Sequence, residues 1–359
     1  MSSLAILRHQ SSIITANFYT TFRLFSAVLF TLKNIEDLYE IKVPRLVDGT
    51  TEYHPQENSP GMELELRNVS FAWHAGLDST VAALEGITLH IHAGQLVVIV
   101  GENGSGKSTL IKVLSRMYDV GSGTLLIDGC PIEEYRLSDL RDAMALLNQE
   151  RALFPVSLGE NIGLGYAPHT EDKEMIRVAA EKGGATNVLK GLQDGPDTIL
   201  NPVHTAYGFA LEHPRHQVLE DLLDGLEVHK KVSGMSIALR VPRFAKFTVV
   251  PGGEKQRLLS ARTFMRLRSP KIKLVALDEP SSAMDSRGEL HLFKQLLAEK
   301  AGRTIIFVTH RFRHLVRHAD LIVCMKKGTI VESGQHKELL ALNGEYAALY
   351  NMQAQAFTE

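Results

Sequence analysis

Continuous apolar runs mark the strands of this chain. Residues 96–100, 274–277 and 304–308 are almost wholly apolar, which is typical of strands buried on both faces of a parallel sheet. Residues 62–71 instead alternate apolar and polar side chains, and this period of two predicts a half-buried strand. A helix is predicted from about Ser108, because apolar side chains then recur at helical spacing. Strands that alternate with helices indicate the α/β class with a mainly parallel sheet.

The N-terminal part of the chain departs from this pattern. Its best candidate for a membrane span, residues 13–32, is interrupted by Asn17 and Arg23. The most apolar part, residues 24–32, is shorter than the roughly 20 apolar residues that a span needs. An amphipathic helix that packs against a partner fits this segment better than an isolated membrane span does. Residues 43–61 are polar and broken by prolines and glycines, which is typical of a linker.

Composition narrows the class of protein. The 359 residues include 39 Lys and Arg against 41 Asp and Glu, a formal net charge of −2. A near-neutral chain lacks the overall excess of positive charge that is typical of nucleic-acid-binding proteins. The two cysteines, Cys130 and Cys324, exclude a disulfide framework.

The strongest chemical signal is a glycine-rich loop after the apolar run 96–100. Residues 101–108 fit the pattern G-x-x-x-x-G-K-[ST] at every fixed position. Glycines let successive backbone N–H groups cradle phosphate oxygens, and a helix N-terminus adds its positive dipole end. Lys107 would reach the β- and γ-phosphates, and the Ser108 hydroxyl can ligate Mg²⁺. The order of strand, loop and helix disfavours a chance glycine-rich turn. The predicted nucleotide-binding residues here are Gly101, Asn103, Gly104, Ser105, Gly106, Lys107, Ser108 and Thr109.

A pair of carboxylates, Asp278 and Glu279, follows the apolar run 274–277. Such a pair lies at the carboxyl edge of the sheet, where ligands of open α/β folds bind. Asp278 would hold Mg²⁺ through water, and Glu279 would polarise the attacking water, which is help typically worth about 10²- to 10⁴-fold. Alone, the pair would only mark a strand leaving the core. Together with the phosphate loop it is a strong signal.

The motifs along the chain resemble, in type and order, those of ATP-binding-cassette (ABC) proteins. Residues 249–257, Val-Val-Pro-Gly-Gly-Glu-Lys-Gln-Arg, resemble the family signature, normally Leu-Ser-Gly-Gly followed by Gln or Glu. Trp73 resembles the aromatic residue that stacks on adenine, and Gln149 resembles the glutamine loop. Asp285 lies in a segment that resembles the loop crossing the dimer interface. His310 resembles the switch histidine that contacts the γ-phosphate.

The resemblance covers about residues 62–350 and implies a RecA-like P-loop NTPase core, an antiparallel β subdomain and an α-helical signature subdomain. It implies an ATPase that uses ATP and Mg²⁺, with Glu279, His310 and Gln149 as catalytic residues. Ser108, Gln149 and, through water, Asp278 would hold the magnesium ion. The signature residues would act on ATP held by a partner subunit, and these are Pro251, Gly252, Gly253 and Glu254.

Some of these residues also have a plainer structural interpretation. Trp73, the only tryptophan, would serve as an ordinary core residue, and His310 as a hydrogen-bonded histidine after a strand. Gln149 has meaning only through its place between the sheet and the helical region. The stacking and γ-phosphate roles are preferred because the motifs occur together.

The chain departs from the family at position 251, which is proline where the family has serine. The family's serine hydroxyl binds the γ-phosphate of ATP held by the opposite subunit. Loss of a hydrogen bond to a charged group costs roughly 1.5 to 3 kcal/mol. We therefore expect Pro251 to weaken catalysis rather than abolish it.

A second departure is the long stretch between Gly195 and Gly252, which lacks the Glu-Arg-Gly-containing turn that commonly precedes the signature. Its histidines are irregularly spaced and come without cysteine, so a solvated loop and helix is a better interpretation than a zinc site. These histidines are His204, His213, His216 and His229.

Residues 32–44 resemble the connector between the last transmembrane helix and the cassette of exporter-type transporters. We therefore expect a partial last transmembrane helix and connector at 1–42, a linker at 43–61 and a nucleotide-binding domain at 62–359. The helical subdomain with its insertion would occupy about 150–265. Since the other membrane helices are absent from the chain, it is expected to be a fragment or to work with a separate membrane subunit. The expected location is the membrane, with the cassette on its cytoplasmic side. The expected partners are a second cassette, in a homo- or heterodimer, and a transmembrane domain, with no nucleic acid.

Three functions stay open on the sequence. The ATPase half of an ABC exporter is preferred, because Lys107, Glu279 and His310 are all intact. A degenerate cassette that mainly binds ATP is favoured by Pro251. A soluble cassette acting on ribosomes or chromosomes is disfavoured, since there is one phosphate loop and no heptad run between the nucleotide motifs.

Overall fold

A computed structural model describes residues 46–55, 59–74, 80–148, 152–200, 230–232, 235–237 and 250–355. The chain divides into two units, Met1–Val47 and Asp48–Glu359. The described residues lie almost entirely in the second unit, whereas the predicted membrane helix and connector lie outside them. No helix in the described ranges is long and apolar enough to cross a membrane.

A six-stranded sheet forms the centre of the second unit. Its strands are β3 (Leu96–Gly101), β6 (Met144–Leu147), β9 (Leu274–Asp278), β10 (Thr304–Val308), β11 (Leu321–Lys326) and β12 (Thr329–Gly334). Their order across the sheet is β12–β11–β3–β10–β9–β6. All neighbours are parallel except β11 and β12, which form an antiparallel pair. The sequence prediction of a mainly parallel sheet is confirmed.

The apolar runs form strands because both faces of this sheet are covered. Along β3, Leu96, Val98 and Val100 belong to one buried cluster, and Val97 and Ile99 belong to another. Successive side chains of a strand point to opposite faces. The sheet therefore separates two cores and needs apolar residues at every position.

An antiparallel sheet supplies the second of these clusters with apolar side chains. Its strands are β1 (Leu64–His74), β2 (Thr80–Ile91), β4 (Ser122–Ile127) and β5 (Cys130–Pro131), in the order β2–β1–β4–β5. Leu64 and Leu66 are fully buried, as the alternation at residues 62–71 predicts. Asp128 and Gly129 join β4 to β5 with φ of 48° and 81°, which suits a tight hairpin turn.

Helices lie between and after the strands. They are α1 (Lys107–Leu114), α2 (Leu137–Asp142), α3 (Leu158–Gly163), α4 (Lys173–Lys182), α5 (Thr186–Lys190), α6 (Gly252–Arg266), α7 (Ser286–Ala298), α8 (His336–Leu342) and α9 (Glu345–Gln355). Short 3-10 helices lie at Ile132–Glu134, Ala167–His169 and Gly195–Asp197. In the long stretch before the signature, β7 (Lys230–Val232) and β8 (Met235–Ile237) form an antiparallel pair. Helices α3, α4 and α6 pack on one another and form the part of the fold that carries the signature residues.

Part of the predicted linker is hydrogen-bonded to the turn between β4 and β5 and to residues that follow β5. The backbone of Thr51 donates to the carbonyl oxygen of Glu134 at 2.9 Å and accepts from Arg136 at 2.8 Å. The hydroxyl of Tyr53 donates to Asp128 at 2.8 Å. Residues 48–55 thus form part of the second unit, although their polar composition and proline suggest a linker. The predicted boundary at residue 62 stays a prediction.

A buried polar network fixes the segment before α3 to α6, the helix that begins at the predicted signature residues. Asn161 is fully buried and Arg262 nearly so. Arg262 donates to the backbone oxygen of Asn161 at 2.7 Å and to its side-chain oxygen at 2.6 Å. The same Asn161 oxygen accepts from the backbone N–H of Phe154 at 2.8 Å, and Arg262 also reaches the carbonyl of Ala152 at 3.2 Å. The network therefore connects α3, α6 and the segment that follows the predicted glutamine loop.

Replacing Asn161 by Ala is expected to lower the free energy of unfolding by about 1–3 kcal/mol, because buried donors and acceptors lose their partners. The matched control is Asn187→Ala, since Asn187 is exposed on α5 and should change stability by about 0.5 kcal/mol or less. Urea unfolding of the two variants measures the difference. Equal midpoints would contradict a structural role for the network.

Candidate functional site

The predicted phosphate loop joins a central strand to a helix N-terminus. β3 ends at Gly101 and α1 begins at Lys107. Gly101 and Gly106 have φ of 151° and 100°. A Cβ at Gly101 would lie 2.2 Å from the carbonyl oxygen of Met325, and a Cβ at Gly106 would lie 2.7 Å from that of Ala83. Glycine is therefore required at both positions by backbone conformation and by space.

Lys107 is the buried cation of this loop. Its side chain is 5% exposed and donates to the carbonyl oxygens of Gly101 at 2.9 Å and Glu102 at 2.7 Å. Burial lowers the pKa of Lys107, and the negative charges of Glu279 and Asp278 oppose that shift. The ammonium group is therefore held by the loop within the field of both predicted carboxylates.

Ser108 and Asp278 meet although 170 positions separate them in the chain. The Ser108 hydroxyl donates to Asp278 Oδ1 at 3.0 Å. Asp278 ends β9 and is 4% exposed. Burial raises its pKa, and the hydrogen bond from Ser108 opposes the shift. Two oxygen ligands of the kind that magnesium prefers are thus placed side by side.

Glu279 and His310 form a second contact at the same edge of the sheet. Asp278 pairs with Val308 across β9 and β10, so the residues that follow these strands come together. The His310 Nε2 and Glu279 Oε1 atoms lie 2.5 Å apart, with both side chains partly exposed. Glu279 has a positive φ of 48°, a strained conformation that is common at functional sites. A carboxylate and an imidazole are therefore fixed together, open to solvent, beside the predicted magnesium ligands.

Trp73 lies near the end of β1, beside the helix of the phosphate loop. Its Nε1 donates to the hydroxyl of Thr109 at 3.3 Å. Its ring makes edge contacts with Phe71 and Tyr118, at centroid distances of 4.9 and 4.8 Å. The ring is half-buried, so it is neither a plain core residue nor a free surface ring. This position suits adenine stacking, which stays a prediction.

The other predicted loop residues differ in exposure. Asn103 and Gly104 are exposed at the tip of the loop, while Ser105 and Thr109 are buried. Ser105 Oγ lies 3.5 Å from the ammonium of Lys107. The predicted catalytic and magnesium residue Gln149 lies outside the described residues.

The predicted signature residues begin α6. Pro251 is the N-cap of this helix, with φ of −56°, and no side chain caps the helix there. Pro251, Gly252 and Glu254 are exposed. A Cβ at Gly252 would meet no atom within 4 Å, whereas one at Gly253 would lie 2.8 Å from the carbonyl oxygen of Ala283. The helix start is thus open on one side and closely packed on the other, against the loop that carries Asp285.

Sequence reasoning missed the contacts that fix this loop to the signature helix. Arg257 donates to Asp285 Oδ1 at 2.8 Å, and the same oxygen accepts from the backbone N–H of Gly288 at 3.2 Å. The Gln256 side chain donates to the carbonyl oxygen of Pro280 at 2.6 Å. The only sequence signal is that both side chains follow directly on the signature. α6 therefore connects the signature to the segment immediately after Glu279.

Comparisons with known proteins agree with this geometry. The sequence model of the family described as ABC transporter matches residues 84–282. The chain is 32% identical to the ATP-dependent lipid A-core flippase of Haemophilus influenzae (strain 86-028NP), over 98% of this chain and 49% of that protein. It is 34% identical to the sophorolipid transporter of Starmerella bombicola, over 83% of this chain and 19% of that protein. The chain therefore belongs to the ABC transporter family.

A solved structure shows the same likeness in three dimensions. It is a bacterial Atm1-family ABC exporter with ATP bound, with a TM-score of 0.65, 25% identity and coverage of 91% of this chain and 47% of that one. The chain spans about half the length of these relatives or less. The predictions of the ABC family and of the P-loop α/β fold are confirmed, and the relatives named here are transporters or exporters. The roles of individual residues stay predictions.

Proposed function

We propose that this chain is the ATP-hydrolysing part of an ABC exporter, and that it binds Mg-ATP at the phosphate loop and couples its hydrolysis to transport. The observation that carries the proposal is the meeting of two pairs at one sheet edge: Ser108 with Asp278 at 3.0 Å, and Glu279 with His310 at 2.5 Å. Ligands of open α/β folds bind at this edge. Relatives named as ATP-dependent flippases support the same function.

The residues present fit ATP and Mg²⁺ chemically. Gly101 and Gly106 have no room for a side chain, and Gly104 leaves open space at the tip of the loop, so phosphate oxygens would approach backbone N–H groups directly. Lys107 would exchange its contacts with loop carbonyls for phosphate oxygens. Ser108 and Asp278 would hold Mg²⁺, Asp278 through water, with Gln149 as a further predicted ligand. The ion would supply neutralisation of phosphate charge.

Glu279 and His310 would act on the attacking water. In this proposal Glu279 accepts the proton of the water as it attacks the γ-phosphate, which is general-base catalysis. The contact with His310 holds the Glu279 carboxylate in position, and His310 would also contact the γ-phosphate. Both side chains are only partly buried, so water can reach them.

The proposal extends to partners and location. A second cassette, identical or different, would place its ATP against residues 251–254 of this chain, with the Asp285 loop at the same interface. ATP binding and hydrolysis by the cassettes would drive a transmembrane domain. The cassette would lie on the cytoplasmic side of a membrane. Residues 1–42 would be the end of a membrane helix with its connector, 62–359 the nucleotide-binding domain, and 43–61 a linker in which Thr51 and Tyr53 are hydrogen-bonded to that domain.

A second candidate is a cassette that mainly binds ATP and hydrolyses little. Pro251 favours it, because the helix start that would face a partner's ATP offers no side-chain hydroxyl at this position. The two candidates share nucleotide binding and differ in turnover.

The first test is nucleotide binding. Lys107→Ala should weaken Mg-ATP binding by at least about 10-fold, because a charge-assisted hydrogen bond worth roughly 1.5 to 3 kcal/mol is lost. Lys271→Ala is the matched control, since Lys271 is an exposed lysine paired with Asp142 and should leave the affinity unchanged. Titration with a fluorescent ATP analogue measures both variants. Equal affinity of wild type and Lys107→Ala would overturn the proposed site.

A further inference from the structure

Two imidazoles and a carboxylate meet at the end of the antiparallel sheet that is far from Trp73. The groups are His90, His92 and Glu63, and their ligand atoms all lie within 4.8 Å of one another. Among the described residues, they form the one cluster of three His, Cys, Asp or Glu side chains able to hold a metal ion. We infer that these three residues form a zinc-binding site separate from the nucleotide site.

The sheet places the three side chains on one face. His90 lies in β2 and His92 directly follows its last residue, Ile91, and alternate residues of an extended segment share a face. In the ladder between β1 and β2, Glu65 pairs with His90 and Leu64 with Ile91. Glu63 therefore comes level with His92, one residue before β1 begins. Strand register therefore fixes His90, while Glu63 and His92 lie one residue beyond the paired strands.

The distances are close to those of a tetrahedral zinc site. Glu63 Oε1 lies 2.7 Å from His90 Nε2 and 3.6 Å from His92 Nδ1. Zinc bonds of about 2.0–2.1 Å at tetrahedral angles separate neighbouring ligand atoms by about 3.3 Å. The two observed distances lie on either side of this value, so small side-chain rotations would satisfy the geometry.

The surroundings leave the site available for a metal ion. The three side chains are 40–62% exposed, which gives room for water as a fourth ligand. The backbone of Glu63 is held by Asp128, whose Oδ1 accepts from the Glu63 N–H at 2.8 Å. The neighbouring Glu65 does not compete for the histidines, because both its carboxylate oxygens accept from Arg67.

Two imidazoles and one carboxylate favour zinc over magnesium or calcium, and bound zinc is expected to stabilise the fold. Imidazole and carboxylate suit zinc and neighbouring transition metals, whereas magnesium and calcium prefer oxygen ligands alone. Zinc bound here would join the start of β1 to the end of β2. Because such binding favours the folded state, zinc should raise the melting temperature of the chain.

Competition titration with a chromophoric zinc indicator, without nucleotide, tests the inference on the full chain. We expect wild type to bind one zinc ion more than His90→Ala/His92→Ala does. Glu63→Gln should weaken that binding at least about 10-fold, the loss that removal of even an outer-shell partner of a zinc ligand causes. His54→Ala is the matched control, because it removes an imidazole from an exposed pair with Glu52 for which the described residues offer no third ligand. This control should bind zinc as wild type does.

Thermal unfolding gives a second readout. Zinc should raise the melting temperature of wild type and leave that of the double variant unchanged. The metal-free melting temperatures of the two should agree, since the replaced side chains are exposed. Equal zinc binding by wild type and the double variant would overturn the inference, and would assign any bound zinc to other residues. An unmeasurably weak wild-type affinity would equally overturn it and leave an ordinary Glu63–His90 ion pair.

Discussion

Glu279→Gln is expected to lower ATP turnover by about 10²- to 10⁴-fold, the usual contribution of a general base. Glutamine has nearly the same size and keeps one oxygen, but it cannot take a proton from water. The proposed phosphate contacts of Lys107 and the loop do not include this side chain, so the affinity for Mg-ATP should stay within about 2-fold of wild type. Steady-state phosphate release and nucleotide titration measure the two quantities separately.

The matched control for this prediction is Glu171→Gln. Glu171 is exposed and lies in none of the predicted nucleotide motifs, so its variant should turn over ATP like wild type. If Glu279→Gln hydrolyses ATP at the wild-type rate, Glu279 is not the base, and its contact with His310 is only structural. If the variant loses ATP binding as well, Glu279 supports the nucleotide-binding phosphate loop rather than activating water.

The sequence predicts well those elements whose structure is determined by a short stretch of neighbouring residues. β3, β9 and β10 were predictable because a strand buried on both faces must be apolar throughout. The phosphate loop was predictable because Gly101 and Gly106 each have backbone angles and close neighbours that exclude a side chain. The pairing of Ser108 with Asp278 follows once both are placed at the carboxyl edge of one parallel sheet.

The remaining features depend on contacts between distant parts of the chain. Nothing local to Arg257 indicates that it binds Asp285, and nothing local to Asn161 indicates the hydrogen bonds from Arg262. The zinc site was missed because His90 and His92 become ligands only when strand register brings Glu63 beside them. Residues 48–55 were interpreted as linker because polar composition does not reveal backbone hydrogen bonds to another segment.

Pro251→Ser is expected to raise the ATPase rate of a homodimer of this chain by about 10- to 100-fold, if the hydrogen bond of roughly 1.5 to 3 kcal/mol is expressed in the transition state. The structure permits the change. Pro251 is exposed, it caps α6 without a side-chain hydrogen bond, and the space around the Cβ position of Gly252 is open. Serine is also a favoured N-cap residue, so the start of the helix should be kept.

Pro251→Ala separates the hydroxyl from the proline ring. Both substitutions restore a backbone N–H and remove the ring, but only serine adds a hydroxyl, which in the proposed dimer would face the partner's γ-phosphate. If the hydroxyl is the missing group, Pro251→Ser gains turnover and Pro251→Ala does not. If both variants gain equally, the ring or the absent N–H limits the wild type. If neither gains while folding and ATP affinity are intact, the N–H groups at Gly252 and Gly253 suffice, and Pro251 does not weaken the site that it completes. Because residues 251–254 would act on the partner's nucleotide, the rate must be measured at concentrations where the dimer forms.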